Sequence, residues 1–211
     1  MNTISIKVKG LALLGMAATG LALCATNVSA FTGWSPTNTV EQVTFPTNGS
    51  LTFTDNKNNT VKCTSFTNGG NNTYAKALST SPTIANTVDV NGNQAAPQFS
   101  GCSSSLGGTV TVSCSTSWKL TATSTTSVDA SNVACTISIA TIFGTCTITS
   151  GTSTNPISVT GNTWSNSTSQ LTANSTSQFN ISESPSGFPC DGATSAHESG
   201  TVQLPTSVQI V

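Results

Sequence analysis

The chain has 211 residues, only 6% of them charged, and its formal net charge is −1. All of its cations are lysines, and two of these, Lys7 and Lys9, lie within the first ten residues. This small number of cations cannot neutralise a phosphate backbone or an anionic membrane surface. We therefore expect neither nucleic acid nor anionic lipid as a partner.

Residues 1–30 predict a secretory signal peptide of the compact bacterial type. Two lysines precede the apolar run LALLGMAATGLALC, and Val28 and Ala30 occupy the small-residue positions before a cleavage site. The mature protein is expected to begin at Phe31, and residues 31–211 are expected to form a single secreted β domain.

Cys24 raises the alternative of a lipoprotein anchor. Leu23 disfavours it, because such signals place Gly, Ala or Ser before the lipidated cysteine. No later segment approaches the ~18 consecutive apolar residues needed to cross a bilayer, so no membrane span is expected.

Alternation with a period of two dominates the mature sequence. Val110, Val112 and Cys114 share one face of a predicted strand, with Thr and Ser between them. Turn signals such as Asn48-Gly49 and Gly107-Gly108 separate these runs. The same alternation recurs at Leu51/Phe53, Val61/Cys63, Trp118/Leu120/Ala122, Cys135/Ile137/Ile139, Cys146/Ile148 and Val202/Leu204.

These patterns predict an all-β fold, a mainly antiparallel β-sandwich over about residues 40–211, cross-linked by disulfides. A β-helix is the alternative, but no fixed repeat length supports it. The residues expected inside the sandwich are Val110, Val112, Trp118, Leu120, Ile137, Ile139 and Ile148.

Six cysteines follow the predicted leader, and an even number in an exported protein indicates disulfides. A metal site is not expected, because no C-x-x-C occurs and His197 is the only histidine. Pairing in sequence order is one of fifteen possible connectivities. It would join Cys63 to Cys102, Cys114 to Cys135, and Cys146 to Cys190.

The segment CDGATSAHESG is the strongest candidate for catalysis. It contains Asp191, Ser195, His197 and Glu198, and Glu183 lies a few residues upstream. A hydrolase built on these acids is therefore an alternative. No G-x-S-x-G motif is present and the acids lack a visible apolar pocket, so we expect no enzyme and no cofactor.

Tryptophans supply the candidate ligand contacts. Trp118 alternates with Leu120 and is expected in the core, whereas Trp34 and Trp164 lie among polar residues. Either of the latter two is a candidate contact for a glycan or a hydrophobic ligand, with core packing as the alternative.

Part of the chain resembles a known group of proteins. The stretch WKLTATSTTSVDASNVACTISIATIFGTC, the strand LTFTDNKNNTVKC, the motif FSGC and the C-terminal SGTVQLP are similar to bacterial secreted proteins described as activators of alkane oxidation and linked to biofilm. Similar layouts occur in exported actinobacterial β proteins. The resemblance implies export and provides no catalytic residues. Cys114 and Cys135 stand outside its usual pattern.

The expected function is contact outside the cell. Four mature lysines leave little electrostatic repulsion between sheet edges. We therefore expect a secreted cell-surface or extracellular-matrix protein that acts by self-association or adhesion, with itself or other surface components as partners. A monomeric binding module for a hydrophobic, alkane-like or glycan ligand is the alternative.

Overall fold

The computed structural model describes residues 33–35, 40–41, 44–67, 76–77, 83–85, 96–204 and 206–211. The predicted leader, Cys24 and the expected mature start at Phe31 lie outside the described residues. Within those ranges we find strands and turns and no helix.

Eighteen strands are described, and every pairing between them is antiparallel. They are β1 (Trp34–Ser35), β2 (Val40–Glu41), β3 (Leu51–Asp55), β4 (Thr60–Thr67), β5 (Lys76–Ala77), β6 (Thr83–Ala85), β7 (Gln98–Ser104), β8 (Thr109–Cys114), β9 (Lys119–Ser124), β10 (Ser127–Val133), β11 (Cys135–Thr141), β12 (Gly144–Ser150), β13 (Ile157–Ser165), β14 (Gln170–Thr172), β15 (Gln178–Asn180), β16 (Ser182–Ser184), β17 (Ser195–Gln203) and β18 (Gln209–Ile210).

One curled sheet contains 14 of these strands, in the order β16-β12-β11-β8-β7-β4-β3-β17-β14-β13-β10-β9-β6, with β15 paired to β17. The all-β, antiparallel prediction is thereby confirmed. The two faces of the predicted sandwich are joined, because β17 pairs with β15 at its start and with β14 at its end. Strand β3 pairs with β17 along the opposite edge of β17.

Gly200 allows β17 to pass from one half of the sheet to the other. Its φ is +137°, and a Cβ atom built there would lie 2.1 Å from the carbonyl oxygen of Ser50. Only glycine fits a backbone this close to its neighbour. The sheet can therefore curl at this point, and residues of both halves enclose one core.

Replacing Gly200 with alanine is expected to destabilise the fold by roughly 3 kcal/mol or more, because the added methyl group collides with backbone at a strained φ. Gly107→Ala is the matched control: its φ is also positive, +74°, but its Cβ would meet nothing within 4 Å. That control should cost about 1 kcal/mol. Urea denaturation of the two variants measures the difference, and equal midpoints would contradict the assigned role of Gly200.

The core lies between the two halves of the curled sheet. Phe53 and Ile139 enter it from one half, Leu120 and Val159 from the other, and all belong to one cluster of buried residues. Of the seven residues predicted inside, five are buried: Trp118, Leu120, Ile137, Ile139 and Ile148. Val110 and Val112 are half-buried and pack against the same core.

Three disulfides join the cysteines in sequence order: Cys63–Cys102, Cys114–Cys135 and Cys146–Cys190. The first two connect residues that are direct partners across neighbouring strands. A one-residue slip would turn every side chain of a strand to the other face. These two bonds therefore fix the register of β4 with β7 and of β8 with β11.

Both ends of the main sheet are short. Strand β16 closes one end and β6 the other, and each has three residues. Very short edge strands are one way in which natural sheets prevent edge-to-edge pairing. Among the described residues, the scarcity of lysine therefore does not leave a long unpaired edge at either end of this sheet.

Candidate functional site

The largest exposed apolar side chains among the described residues lie close together. Ile142 and Phe143 form the tip of the β11–β12 hairpin and are 92% and 67% exposed, and Phe188 is 72% exposed. The rings of Phe143 and Phe188 contact each other, with centroids 5.2 Å apart. We call Ile142, Phe143 and Phe188 the apolar tip.

The hairpin turn holds its two apolar residues outward. Thr141 pairs with Gly144, so the loop contains only Ile142 and Phe143. The Thr141 hydroxyl donates to the Gly144 carbonyl oxygen at 2.9 Å and accepts from the Phe143 backbone N–H at 3.1 Å. Two-residue turns usually carry Asn, Asp or Gly, so an Ile-Phe pair there is not explained by turn chemistry.

A disulfide bond two residues from Phe188 holds this part of the chain beside the hairpin. Cys190, two residues further on, is linked to Cys146 of β12. The Cys190 backbone N–H also donates to the Gly187 carbonyl oxygen at 2.9 Å, closing a turn around Phe188. The aromatic pair is thus fixed in place by a disulfide and two turns.

A cleft of about 680 Å³ lies against the tip. Leu106, Ala140 and Pro189 contribute apolar surface to it, and none of its lining residues carries a charge. An uncharged cleft bordered by exposed aromatic rings suits an apolar partner.

Two smaller cavities lie in the core, with volumes of about 50 and 40 Å³. They share four lining residues, Leu51, Phe99, Trp118 and Glu198. Glu198 is the only ionisable side chain lining either of them. A carboxyl group in such apolar surroundings is uncommon and identifies the cavities as a second candidate site.

Strand geometry explains why Glu198 points inward. It is the direct partner of buried Phe53 across β3 and β17, and cross-strand partners share a face. Burial raises the pKa of Glu198 from 4.5 to about 7, since the charged form is poorly solvated. By side-chain exposure Glu198 is half-buried, and it lines both cavities.

Trp118 faces the same cavities from the opposite half of the sheet. It is 9% exposed, and its ring lies 5.7 Å from that of Phe99. Its indole Nε1 is buried without a hydrogen-bond partner. The expected core position of Trp118 is confirmed, while its unsatisfied N–H could not be foreseen from the sequence.

The two candidate ligand tryptophans are in the core. Trp34 and Trp164 are 1% and 2% exposed and pack edge to face with centroids 5.0 Å apart. Trp164 Nε1 donates to Asn166 Oδ1 at 2.6 Å. Packing in the core, the alternative considered for both, is the arrangement observed, and neither ring lines a described cavity.

The residues of the hydrolase alternative are divided between different surfaces. His197 and Glu198 are neighbours on β17, so their side chains lie on opposite faces of the sheet. Ser195 begins the same strand. Asp191 lies in an exposed position before it and accepts a hydrogen bond from the Asn59 side-chain amide. No serine triad is assembled from these residues.

Three carboxylates do converge: one oxygen each of Asp55, Glu183 and Asp191 lies within 4.8 Å of the others. Asp55 accepts from the backbone N–H groups of Lys57 and Asn59 at 2.8 and 2.9 Å. Glu183 accepts from those of Gly192 and Ala193 at 2.8 and 3.1 Å. Backbone amides thus stabilise the carboxylates of Asp55 and Glu183.

Two features of the sequence indicate the apolar tip and the core cavities once the structure is known. The Ile-Phe pair lies in a hairpin turn, where Gly or Asn is usual. Its presence there indicates that two apolar side chains are exposed. Glu198 is an even number of residues from Val202 and Leu204, so the period-two alternation places it on the same, inward face of the last long strand. The alternation therefore already pointed its carboxyl group into the core.

Comparisons with family models, curated proteins and solved structures find no match. The fold and its bonds thus define the class directly: an all-β, antiparallel protein with three disulfides. Such bonds are typical of an oxidising, extracellular environment. In the part of the chain that the structure describes, no helix has the length and apolar character to span a bilayer.

Proposed function

We propose that this is a secreted bacterial protein of the cell surface or extracellular matrix that acts by adhesion, with the apolar tip as its contact surface. The observation that carries the proposal is the exposure of Ile142, Phe143 and Phe188 at one rigid place. The partner is an apolar surface outside the cell. No catalytic step is assigned.

Rigidity supports this function. Aromatic side chains exposed on a mobile loop can fold back onto the protein, but the disulfide and turns around this tip hold them outward. A preorganised apolar surface loses little conformational entropy on contact. The absence of charge from the adjacent cleft also removes a desolvation cost.

An apolar surface is a better partner than a second copy. A stable protein dimer buries about 800 Å² on each side, contributed by some 20 to 30 residues. Three side chains at a hairpin tip supply only a part of that area. Adsorption to an extended apolar surface needs no matching partner shape, and many copies can bind the same surface together.

Adsorption to octyl-agarose, with unmodified agarose as the reference, tests the proposal. The triple variant Ile142→Ser, Phe143→Ser, Phe188→Ser should adsorb at least tenfold less than the parent, because a buried apolar side chain contributes roughly 1.5 to 3 kcal/mol. Val211→Ser is the matched control, since Val211 is an apolar side chain 49% exposed elsewhere.

Equal adsorption of the triple variant and the parent, with both folded by circular dichroism, would refute the role of the tip. Light scattering across a concentration series addresses the other partner. If the parent forms a dimer that the triple variant does not form, and neither protein adsorbs, the partner of the apolar tip is a second copy of the chain and not an apolar surface.

A further inference from the structure

The apolar tip is the end of a part of the sheet that carries no charge. Strands β8, β11 and β12 lead to it, and none of their residues is charged. The lining of the cleft beside the tip is uncharged as well. A charged side chain would lose hydration wherever the tip entered a less polar medium. These three strands can therefore bring the tip into such a medium without that cost.

A row of hydroxyl groups lies behind the tip. In the sheet register, Ala140 has Thr109 on one side and Thr145 on the other. Ala140 precedes Ile142 by two residues, so the row lies roughly 7 Å from the tip along the strand. Thr109 and Thr145 are exposed, and among the described residues neither hydroxyl has a hydrogen-bond partner. Thr109 also lines the cleft together with the three tip residues.

Apolar side chains with hydroxyl donors behind them match the layers of a lipid surface. Acyl chains form its apolar interior, and the ester carbonyls that join them to glycerol lie in the interfacial region outside it. A carbonyl oxygen only accepts hydrogen bonds, and a threonine hydroxyl can donate one. A bare hydrocarbon surface offers no acceptor to Thr109 or Thr145.

We propose, as an extension that rests on the adhesive function proposed above, that the apolar surface is that of a neutral ester lipid. The three side chains of the tip enter the acyl region. The hydroxyl groups of Thr109 and Thr145 donate to ester carbonyls in the layer above it.

The charge of the protein selects among lipids. Anionic surfaces attract segments rich in lysine and arginine. Among the described residues, no cation lines the cleft or lies on the three strands that lead to the tip. An anionic headgroup therefore gains no attraction here, and a zwitterionic or uncharged glycerolipid is the class that fits.

Two lipids that differ only in the ester test the proposal. Diacyl phosphatidylcholine and its dialkyl ether analogue have the same headgroup and the same chain length, but only the first has ester carbonyls. Vesicles of each are titrated against the full secreted protein, and bound protein is separated by flotation. We expect saturable binding that is roughly tenfold tighter to the diacyl vesicles, because the ether lipid offers no carbonyl to the two hydroxyls.

Variants assign the contacts. The double variant Thr109→Val, Thr145→Val keeps β-branched side chains in the strands and removes both hydroxyls, so it should bind the two lipids equally. The matched control is Thr172→Val, Thr201→Val, which changes a cross-strand threonine pair on β14 and β17 and should keep the tenfold preference. The triple serine variant of the tip should bind neither lipid. Circular dichroism checks that each variant is folded.

Insertion is measured with Phe143→Trp. The three native tryptophans are each 9% exposed or less, so lipids brominated on the acyl chain should quench only the new indole. Strong quenching is expected. A Phe143→Trp protein that floats with the vesicles but is not quenched would show that another surface makes the contact, which overturns the proposal.

The other outcomes separate this proposal from the adhesive function. Adsorption of the parent to octyl-agarose without binding to either vesicle would leave adhesion standing and overturn the lipid assignment. Equal binding of the parent to the two lipids, or a preference that survives in Thr109→Val, Thr145→Val, would exclude the bonds to ester carbonyls and overturn it too. A parent that does not adsorb to octyl-agarose would refute the adhesive function, and the lipid assignment with it.

Discussion

Reduction of the three disulfides is expected to unfold the protein at room temperature. The bonds close loops of 39, 21 and 44 residues, and each contributes about 3 to 4 kcal/mol in the chain-entropy model. Their sum is comparable with the whole net stability of a domain, about 5 to 15 kcal/mol. Little stability would remain once all three are cleaved.

Circular dichroism in the far and near ultraviolet measures this outcome before and after reduction and alkylation. The matched control is protein treated with the alkylating reagent alone, which should keep its spectrum. Mass spectrometry of that control should show six oxidised cysteines in the mature chain. A reduced and alkylated protein with the melting temperature of the parent would contradict the prediction.

Stability is also expected to fall as the pH rises from 5 to 8, because of Glu198. Burial in the core raises its pKa from 4.5 to about 7. Between these values the folded protein holds a proton that the unfolded chain has released, so the free energy of unfolding decreases with pH. The full loss amounts to about 3 kcal/mol, nearly complete by pH 8.

The charged groups around Glu198 do not offset this effect. Strand β3 pairs with β17, which carries Glu198. On β3, the Asp55 carboxylate already accepts hydrogen bonds from backbone N–H groups of its own turn. His197 lies on the other face of β17, and the remaining lining of both cavities is neutral. The ionised carboxylate therefore lacks a compensating cation among the residues that enclose it.

Glu198→Gln tests the assignment by urea denaturation at several pH values. The variant should match the parent near pH 4 and exceed its stability by about 3 kcal/mol at pH 8, because an amide does not ionise. Ser199→Ala, a change on the opposite face of the same strand, should leave the pH dependence intact. Parallel stability curves for Glu198→Gln and the parent would disprove the prediction.

The β structure was accessible from the sequence because its signals are local. Period-two alternation places Leu120, Ile137 and Ile148 on inward faces wherever a strand forms, and all three are buried. An even number of cysteines in a chain with a predicted leader indicated disulfides. Sequence-order pairing was one of many possibilities, and the structure alone selects it.

The position of the tryptophans depended on packing between distant segments. Trp34 and Trp164 have polar neighbours in sequence, yet both are buried and their rings pack against each other. Trp34 belongs to β1, which pairs with β18 at the other end of the chain. The Asn166 side chain also accepts from Trp164 and donates to the Ile210 carbonyl oxygen at 2.8 Å. The Trp34–Trp164 contact joins residues more than a hundred positions apart, and the Asn166–Ile210 hydrogen bond joins residues 44 positions apart. No local pattern encodes either contact.

The sequence by itself therefore determined the all-β class, the inward faces of the strands and the presence of disulfides, since propensity, alternation and cysteine number act over a few residues. Tertiary structure alone decided where chemistry can occur. The curl at Gly200 brings Glu198 of one half opposite Trp118 of the other. The Cys146–Cys190 bond sets Phe188 beside Phe143. Both arrangements arise from contacts between residues far apart in the chain, whose geometry exists only after the sheet has closed around its core.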